Sequence, residues 1–133
     1  MPAATPVAAS HVLLTQPKQN AQPLIQALQQ TGFCVRHFPA VNIQFITPIK
    51  PTGQPQFIIA TSPNAVTGAI RAQLSLPAYA TYFAVGKGTA QALKQAGIAQ
   101  VHTPQNAGSE GLLALDTLSA QKGNNGWLLT GEG

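Results

Sequence analysis

Apolar residues along this chain fall into short runs, and each run opens into small polar residues and then into a helical pattern that ends near glycine. Val12-Leu13-Leu14 precedes the spaced positions Leu24, Ile25 and Leu28. Phe57-Ile58-Ile59-Ala60 precedes Val66 and Ile70, and Tyr82-Phe83-Ala84-Val85 precedes Leu93. A fourth copy begins at Trp127-Leu128-Leu129-Thr130-Gly131 and reaches Gly133 without its helix. Repeated strand, polar turn and helix predict an α/β fold with a parallel sheet in three layers. Such sheets bind ligands at the carboxyl ends of their strands.

The pattern predicts a first strand over residues 12–15, stopped at Gln16 because Pro17 disfavours helical geometry before it. Asn20 is suited to cap the following helix, with Pro23 tolerable only in its first turn. Ala21, Leu24, Ile25, Ala27 and Leu28 form its apolar face, Gly32 ends it, and residues 33–38 read as the second strand. Pro39, Pro48, Pro51, Pro55 and Gly53 then punctuate residues 39–56, which suits either an extended crossing between two parts of a larger protein or a surface loop. Further strands are expected over residues 57–60, 81–85, 101–103 and 127–130. Helices are expected through Arg71, over 90–95 up to Gly97, and over 112–118, with a turn at 123–126. The expected organisation is a flexible leader at 1–10, a first unit at 11–38, the crossing at 39–56, and most of a second domain at 57–133.

With 133 residues, 44% of them apolar, the chain has enough material for a folded core. The net charge is +4, but Lys18, Arg36, Lys50, Arg71, Lys87, Lys94 and Lys122 are scattered. No basic run or aromatic ladder supports nucleic acid as a partner, whereas a small polyanion fits a weak positive field. Cys34 is the lone cysteine and reads as a buried, inert thiol. The leader lacks a signal-peptide pattern and no apolar run is long enough for a bilayer, so a cytoplasmic protein without membrane association is expected. His11, His37 and His102 are too far apart in sequence for a metal motif and read as structural, while Tyr79 and Tyr82 read as packing residues.

Three segments place small polar residues directly after a strand. Thr61, Ser62, Pro63 and Asn64 can cap a helix, and its free amides attract carboxylate or phosphate; capping alone is the plainer reading. Gly86-Lys87-Gly88-Thr89 is shorter than a dinucleotide or triphosphate loop and has no acidic residue at ribose distance, so no nucleotide cofactor is expected. Either anion binding or ordinary capping by Thr89 accounts for it. In Ser109-Glu110-Gly111 the serine reads as a cap and Glu110 as good first-turn electrostatics.

Taken in order, these segments carry a family resemblance over residues 11–133. They are Leu14-Thr15-Gln16-Pro17, Gly32, Phe38-Pro39, Thr61-Ser62-Pro63-Asn64-Ala65-Val66, Ala84-Val85-Gly86-Lys87-Gly88-Thr89-Ala90 through Leu93 and Ala96-Gly97, Ser109-Glu110-Gly111-Leu112-Leu113, and Leu128-Leu129-Thr130-Gly131-Glu132-Gly133. The set resembles uroporphyrinogen-III synthase, a lyase of haem biosynthesis. The resemblance implies closure of the linear tetrapyrrole hydroxymethylbilane to uroporphyrinogen III with inversion of the last pyrrole ring. It also implies two α/β domains built from flavodoxin-like units and joined by extended crossings, substrate between them, no metal or organic cofactor, and a monomeric full-length enzyme. Substrate carboxylates are expected at Thr15, Gln16, Thr61, Ser62, Asn64, Gly86, Lys87, Gly88, Thr89, Ser109, Glu110, Gly111 and Gly131, and no catalytic side chain is assigned. Members usually run to about twice this length, so a fragment or truncated relative with little turnover alone is expected. An open edge of its first unit would invite pairing with a second copy. The competing expectation is a non-catalytic α/β module that binds a small polyanion.

Overall fold

The short apolar runs are too brief for helices and form strands buried in parallel pairs, while the longer 3.6-period stretches form the helices between them. The computed structural model describes residues 10–131. Residues 1–9 of the expected leader, together with Glu132 and Gly133, lie outside the described residues. The chain divides into two units, Met1–Gln44 and Phe45–Gly133. Among the described residues, no helix is long and apolar enough to cross a membrane.

In the first unit, β1 (His11–Leu14) and β2 (Cys34–His37) flank α1 (Lys18–Gln30). The strands pair in parallel with His11 opposite Cys34 and Leu14 opposite His37. Leu14 and Ala21 are its buried apolar residues, whereas Leu13 on the alternate face is 65% exposed. The connection over residues 38–56 contains neither helix nor strand, in keeping with its prolines. The boundary between units falls inside that connection, before Phe45.

The second unit runs β3 (Phe57–Ala60), α2 (Pro63–Arg71), β4 (Thr81–Ala84), α3 (Lys87–Gln95), β5 (Val101–His102), α4 (Ser109–Leu113), α5 (Asp116–Ser119) and β6 (Gly126–Leu129). Its parallel sheet has the order β5-β4-β3-β6, so the chain winds outward from β3 through β4 to β5 and then returns to the other side of β3. The order reverses between β3 and β6. Alternate residues Ile58, Ala60, Tyr82, Ala84 and Leu129 form one buried face with Val66 and Ala69 of α2 and Ala90 and Leu93 of α3. Each fully buried large side chain there contributes about 1.5–3 kcal/mol of transfer free energy. On the opposite face Phe83 is buried, edge-on to Phe57 at 6.3 Å and stacked on His102 at 5.3 Å.

Several local expectations change. Helix α1 starts at Lys18 with Pro17 as its N-cap, so Asn20 lies within the first turn and makes no cap; the proline's fixed φ of −53° sets the start earlier. Pro23 lies inside the helix rather than in its first turn. It is tolerated at an exposed position, where water can take the Gln19 carbonyl that a Pro23 N–H would have bonded. Cys34 is exposed, because alternation along β2 puts it on the face opposite Val35. The helix expected over 112–118 is two short ones, since Leu115 is extended (ψ 123°) and starts α5 anew. Tyr79 is 64% exposed and does not pack, whereas Tyr82 is buried and donates its hydroxyl to the Pro77 carbonyl at 2.9 Å.

Burial, reinforced by the neighbouring Tyr79, pushes the Tyr82 phenol up from 10.0 to about 12. The native state therefore keeps this proton where the unfolded chain releases it, so its contribution to stability is intact below pH 10 and falls as pH rises from 10 to about 12. Urea midpoints across that window should decline more steeply for the native sequence than for Tyr82→Phe. Equal slopes would refute the assignment.

Candidate functional site

The carboxyl edge of the second sheet gathers small polar residues because its parallel strands all end at the same side and β3, β4 and β5 each run on to a helix start there. Thr61, one residue past β3, extends the β3–β6 ladder: its amide donates to the Leu129 carbonyl at 3.0 Å. Its hydroxyl donates to the same carbonyl at 3.2 Å and to Thr130 Oγ1 at 3.2 Å. The two threonines thus form a hydroxyl pair where the strand order reverses, the position at which open α/β sheets form a crevice.

Ser62 is the N-cap of α2, and its Oγ accepts from the Ala65 amide at 3.1 Å. The cap expected of this serine is present, its oxygen serving the helix. Pro63, in the first turn, has no amide to leave unpaired, and Asn64 follows half-buried. Helix α3 differs. Its N-cap is Gly86, which offers no side-chain acceptor, so the first-turn amides of Lys87, Gly88 and Thr89 receive no side-chain cap. Thr89 had been the expected cap; the helix starts two residues before it, and its side chain is buried.

These two helix starts are neighbours. A Cβ placed on Gly88 would lie 3.8 Å from Pro63 Cγ. The Gly108 amide donates to the Val85 carbonyl at 2.9 Å, tying the segment before α4 to the end of β4. Gly108, not Ser109, is the N-cap of α4, because its φ of 125° suits glycine and strains other residues. Ser109 and Glu110 are exposed in the first turn. Gly111 has a packing reason for being glycine, since a Cβ there would collide with the Asn106 carbonyl.

Thr61, Ser62, Asn64, Gly86, Lys87, Gly88, Thr89, Ser109, Glu110, Gly111 and Gly131 thus all belong to strand ends or helix starts on one edge of the second unit. Thr15 and Gln16 belong to the first unit, at the end of β1. Their carbonyls accept from the Ala40 amide at 3.0 Å and from His37 Nε2 at 2.9 Å. The pairing of Thr130 with Thr61 escaped sequence reasoning. A threonine directly after the last strand was the available signal, but its partner follows only from strand order. A cavity of about 420 Å³ sits instead at the opposite, amino-terminal end of β4 and β5, lined by Tyr79, Thr81, Gln100 and His102 among others. None of the expected ligand-contact residues lines it.

The carboxyl edge carries one exposed charge of each sign, Lys87 at the start of α3 and Glu110 in the first turn of α4, whereas Arg71 and Lys94 lie in the last turns of α2 and α3. Uncapped amides at the α3 start, the positive end of its dipole and the exposed Lys87 are complementary to carboxylate groups. Among the described residues, no group of three or more His, Cys, Asp or Glu side chains is placed to hold a metal ion.

The collision at Gly111 predicts that Gly111→Ala costs about 1–3 kcal/mol of stability. Gly131→Ala, where a Cβ meets open space, should shift the urea midpoint little. Similar midpoints for both variants would contradict the close approach at Gly111.

A search of curated proteins finds no match to the chain. The family model described as Uroporphyrinogen-III synthase HemD matches residues 22–133, a span that includes α2, α3, α4 and the strand ends that feed them. The chain therefore belongs to the uroporphyrinogen-III synthase family.

Proposed function

We propose that this chain carries the substrate-binding strand ends of an enzyme that closes hydroxymethylbilane into uroporphyrinogen III, with inversion of the last pyrrole ring and loss of water. The observation that carries this reading is the gathering of two adjacent helix starts and the Thr61–Thr130 hydroxyl pair on one sheet edge. The family match supports it. The substrate carries eight carboxylates, and the site offers amides, hydroxyls and a single exposed lysine rather than a cage of ion pairs.

The chemistry places modest demands on side chains. Departure of the bilane hydroxyl leaves an electrophilic azafulvene at one end. The substituted carbon of the last pyrrole attacks it to form a spiro intermediate, which fragments and recloses with that ring inverted. The competing reaction is direct closure at the unsubstituted carbon, which gives the type I isomer. Discrimination then depends on holding the bilane folded with the substituted carbon facing the electrophile, which positioning and fixed dipoles can supply. In this reading the α3 amides and Lys87 bind carboxylates of the substrate. The threonine pair lines the crevice, and Gly86 and Gly88 permit close backbone approach. No catalytic acid or base is assigned.

Incubating the 133-residue chain with hydroxymethylbilane, and separating the isomers after oxidation, tests the reaction. Because little turnover is expected of this chain alone, a small excess of type III over the spontaneous background is the expected result. Type I alone, with a bound octacarboxylate, would favour the second reading, a polyanion-binding module without turnover. That reading draws on the net charge of +4 and the uncapped start of α3.

Binding of uroporphyrin, followed by its fluorescence, tests the role of the lysine separately. Lys87 is exposed, so Lys87→Gln should weaken binding only about two- to fivefold, and less at high salt. Lys122→Gln, beyond α5, serves as the control. Equal losses for the two variants would mean that net charge, rather than the α3 start, attracts the anion.

A further inference from the structure

We propose that the cavity at the amino-terminal end of β4 and β5 is a second binding site, shaped for the adenine ring of an uncharged nucleoside. The cavity arises from the strand register. Strand β4 begins at Thr81, whereas β5 pairs with it only from Val101, opposite Tyr82. Thr81 is bonded on its β3 side, its amide donating to the Gln56 carbonyl at 2.9 Å, and has no ladder partner toward β5. Gly97 ends α3 with a φ of 95°, and the Gly97 and Ile98 amides fix that turn on the Lys94 and Leu93 carbonyls at 3.0 and 3.1 Å. Gln100 then lines the same opening as Thr81. Its volume of about 420 Å³ lies within the range of small-ligand pockets.

The lining separates packing groups from free ones. Tyr82 is wall, buried and with its hydroxyl already donated to the Pro77 carbonyl. Tyr79, Thr81, Gln100 and His102 differ: among the described residues, their side chains take part in no hydrogen bond. Alternation along β4 puts Thr81 on the sheet face of Phe83, and His102, opposite Phe83 in the register, shares that face. The stack on Phe83 at 5.3 Å holds the imidazole in place, and Tyr79 keeps an exposed ring in the lining.

These groups define the ligand. No Lys, Arg, Asp or Glu side chain lines the cavity, so it is not matched to a phosphate or another ion. An exposed tyrosine ring suits stacking on a flat heterocycle. The Gln100 carboxamide presents an acceptor and a donor side by side, the complement of the amino group and N7 of adenine. The Thr81 hydroxyl and a His102 ring nitrogen are then left for the hydroxyls of a sugar. The site stands apart from the carboxyl-edge reading, because none of the residues assigned to that substrate lines it.

Titration of the ¹⁵N-labelled full chain with adenosine tests the site. The amides of Thr81, Gly97, Gln100 and His102 should shift saturably, with those of Gly86, Lys87, Gly88 and Thr89 unmoved. Inosine, which has a carbonyl in place of the amino group, should bind about tenfold more weakly. Gln100→Leu should weaken adenosine binding about tenfold and erase the distinction between the two nucleosides. Tyr79→Ala should weaken both by about tenfold through loss of the stack. Both side chains are exposed, so neither substitution disturbs the core. No saturable shift at these amides with millimolar adenosine would overturn the site. Equal affinity of the native sequence for adenosine and inosine would overturn its assignment to adenine.

Discussion

A parallel strand bonded on both sides and packed between layers must be apolar along its length, short, and free of proline, and β3 meets all three conditions. Ile58 and Ala60 are fully buried, and both neighbours, β4 and β6, take their register from this strand. Because all the pairings are parallel, β3, β4 and β5 are each followed by a crossover whose first helix begins at the same edge. The placement of polar residues at one pole of the second unit is thus a geometric consequence of burying β3, not a separate design. Thr61 and Thr130 meet because their strands flank the reversal in order.

That constraint also sorts residues that look alike in sequence. Ser62 and Thr89 each follow a strand by a few positions, yet one accepts a hydrogen bond from its helix and the other is buried in the turn. The difference arises from where the helix begins. Ser62 is extended with proline after it, whereas Gly86 lets α3 start at Lys87 and leaves its first amides without a side-chain acceptor. The α3 start therefore lacks the side-chain acceptor that the Ser62 oxygen provides at the start of α2. Gly111 shows the converse case, a glycine read as ligand contact whose identity follows from the Asn106 carbonyl pressed against it.

The two units differ in how well they are packed by the described residues. The second has a core drawn from β3, β4, β6, α2 and α3, while the first relies on Leu14 and Ala21 and leaves Leu13 exposed. Exposure of Cys34 follows from the same thinness: a strand with one covered face leaves every second residue to solvent. The connection belongs to both units, with Ala40 bonded to the first and Phe45 seated on the second. Its proline content explains the lack of regular structure.

Much of this protein was readable in the sequence. Strand runs such as Phe57-Ile58-Ile59-Ala60 are apolar, β-branched and bounded by turn residues, and the glycines at 32 and 97 stop helices by adopting positive φ. Such local signals identified the α/β class, the strands to within a residue or so, and the polar segments after them. Helix starts were less legible. Asn20, Thr89 and Ser109 are all good caps by type, but Pro17, Gly86 and Gly108 took that place because backbone geometry decided it. Strand order, the Thr61–Thr130 pair, the proximity of Gly88 to Pro63 and the seat of Phe45 on Gly68 came only from the tertiary structure. Each joins residues distant in sequence, and local periodicity records which face a residue takes but not which neighbour it meets there.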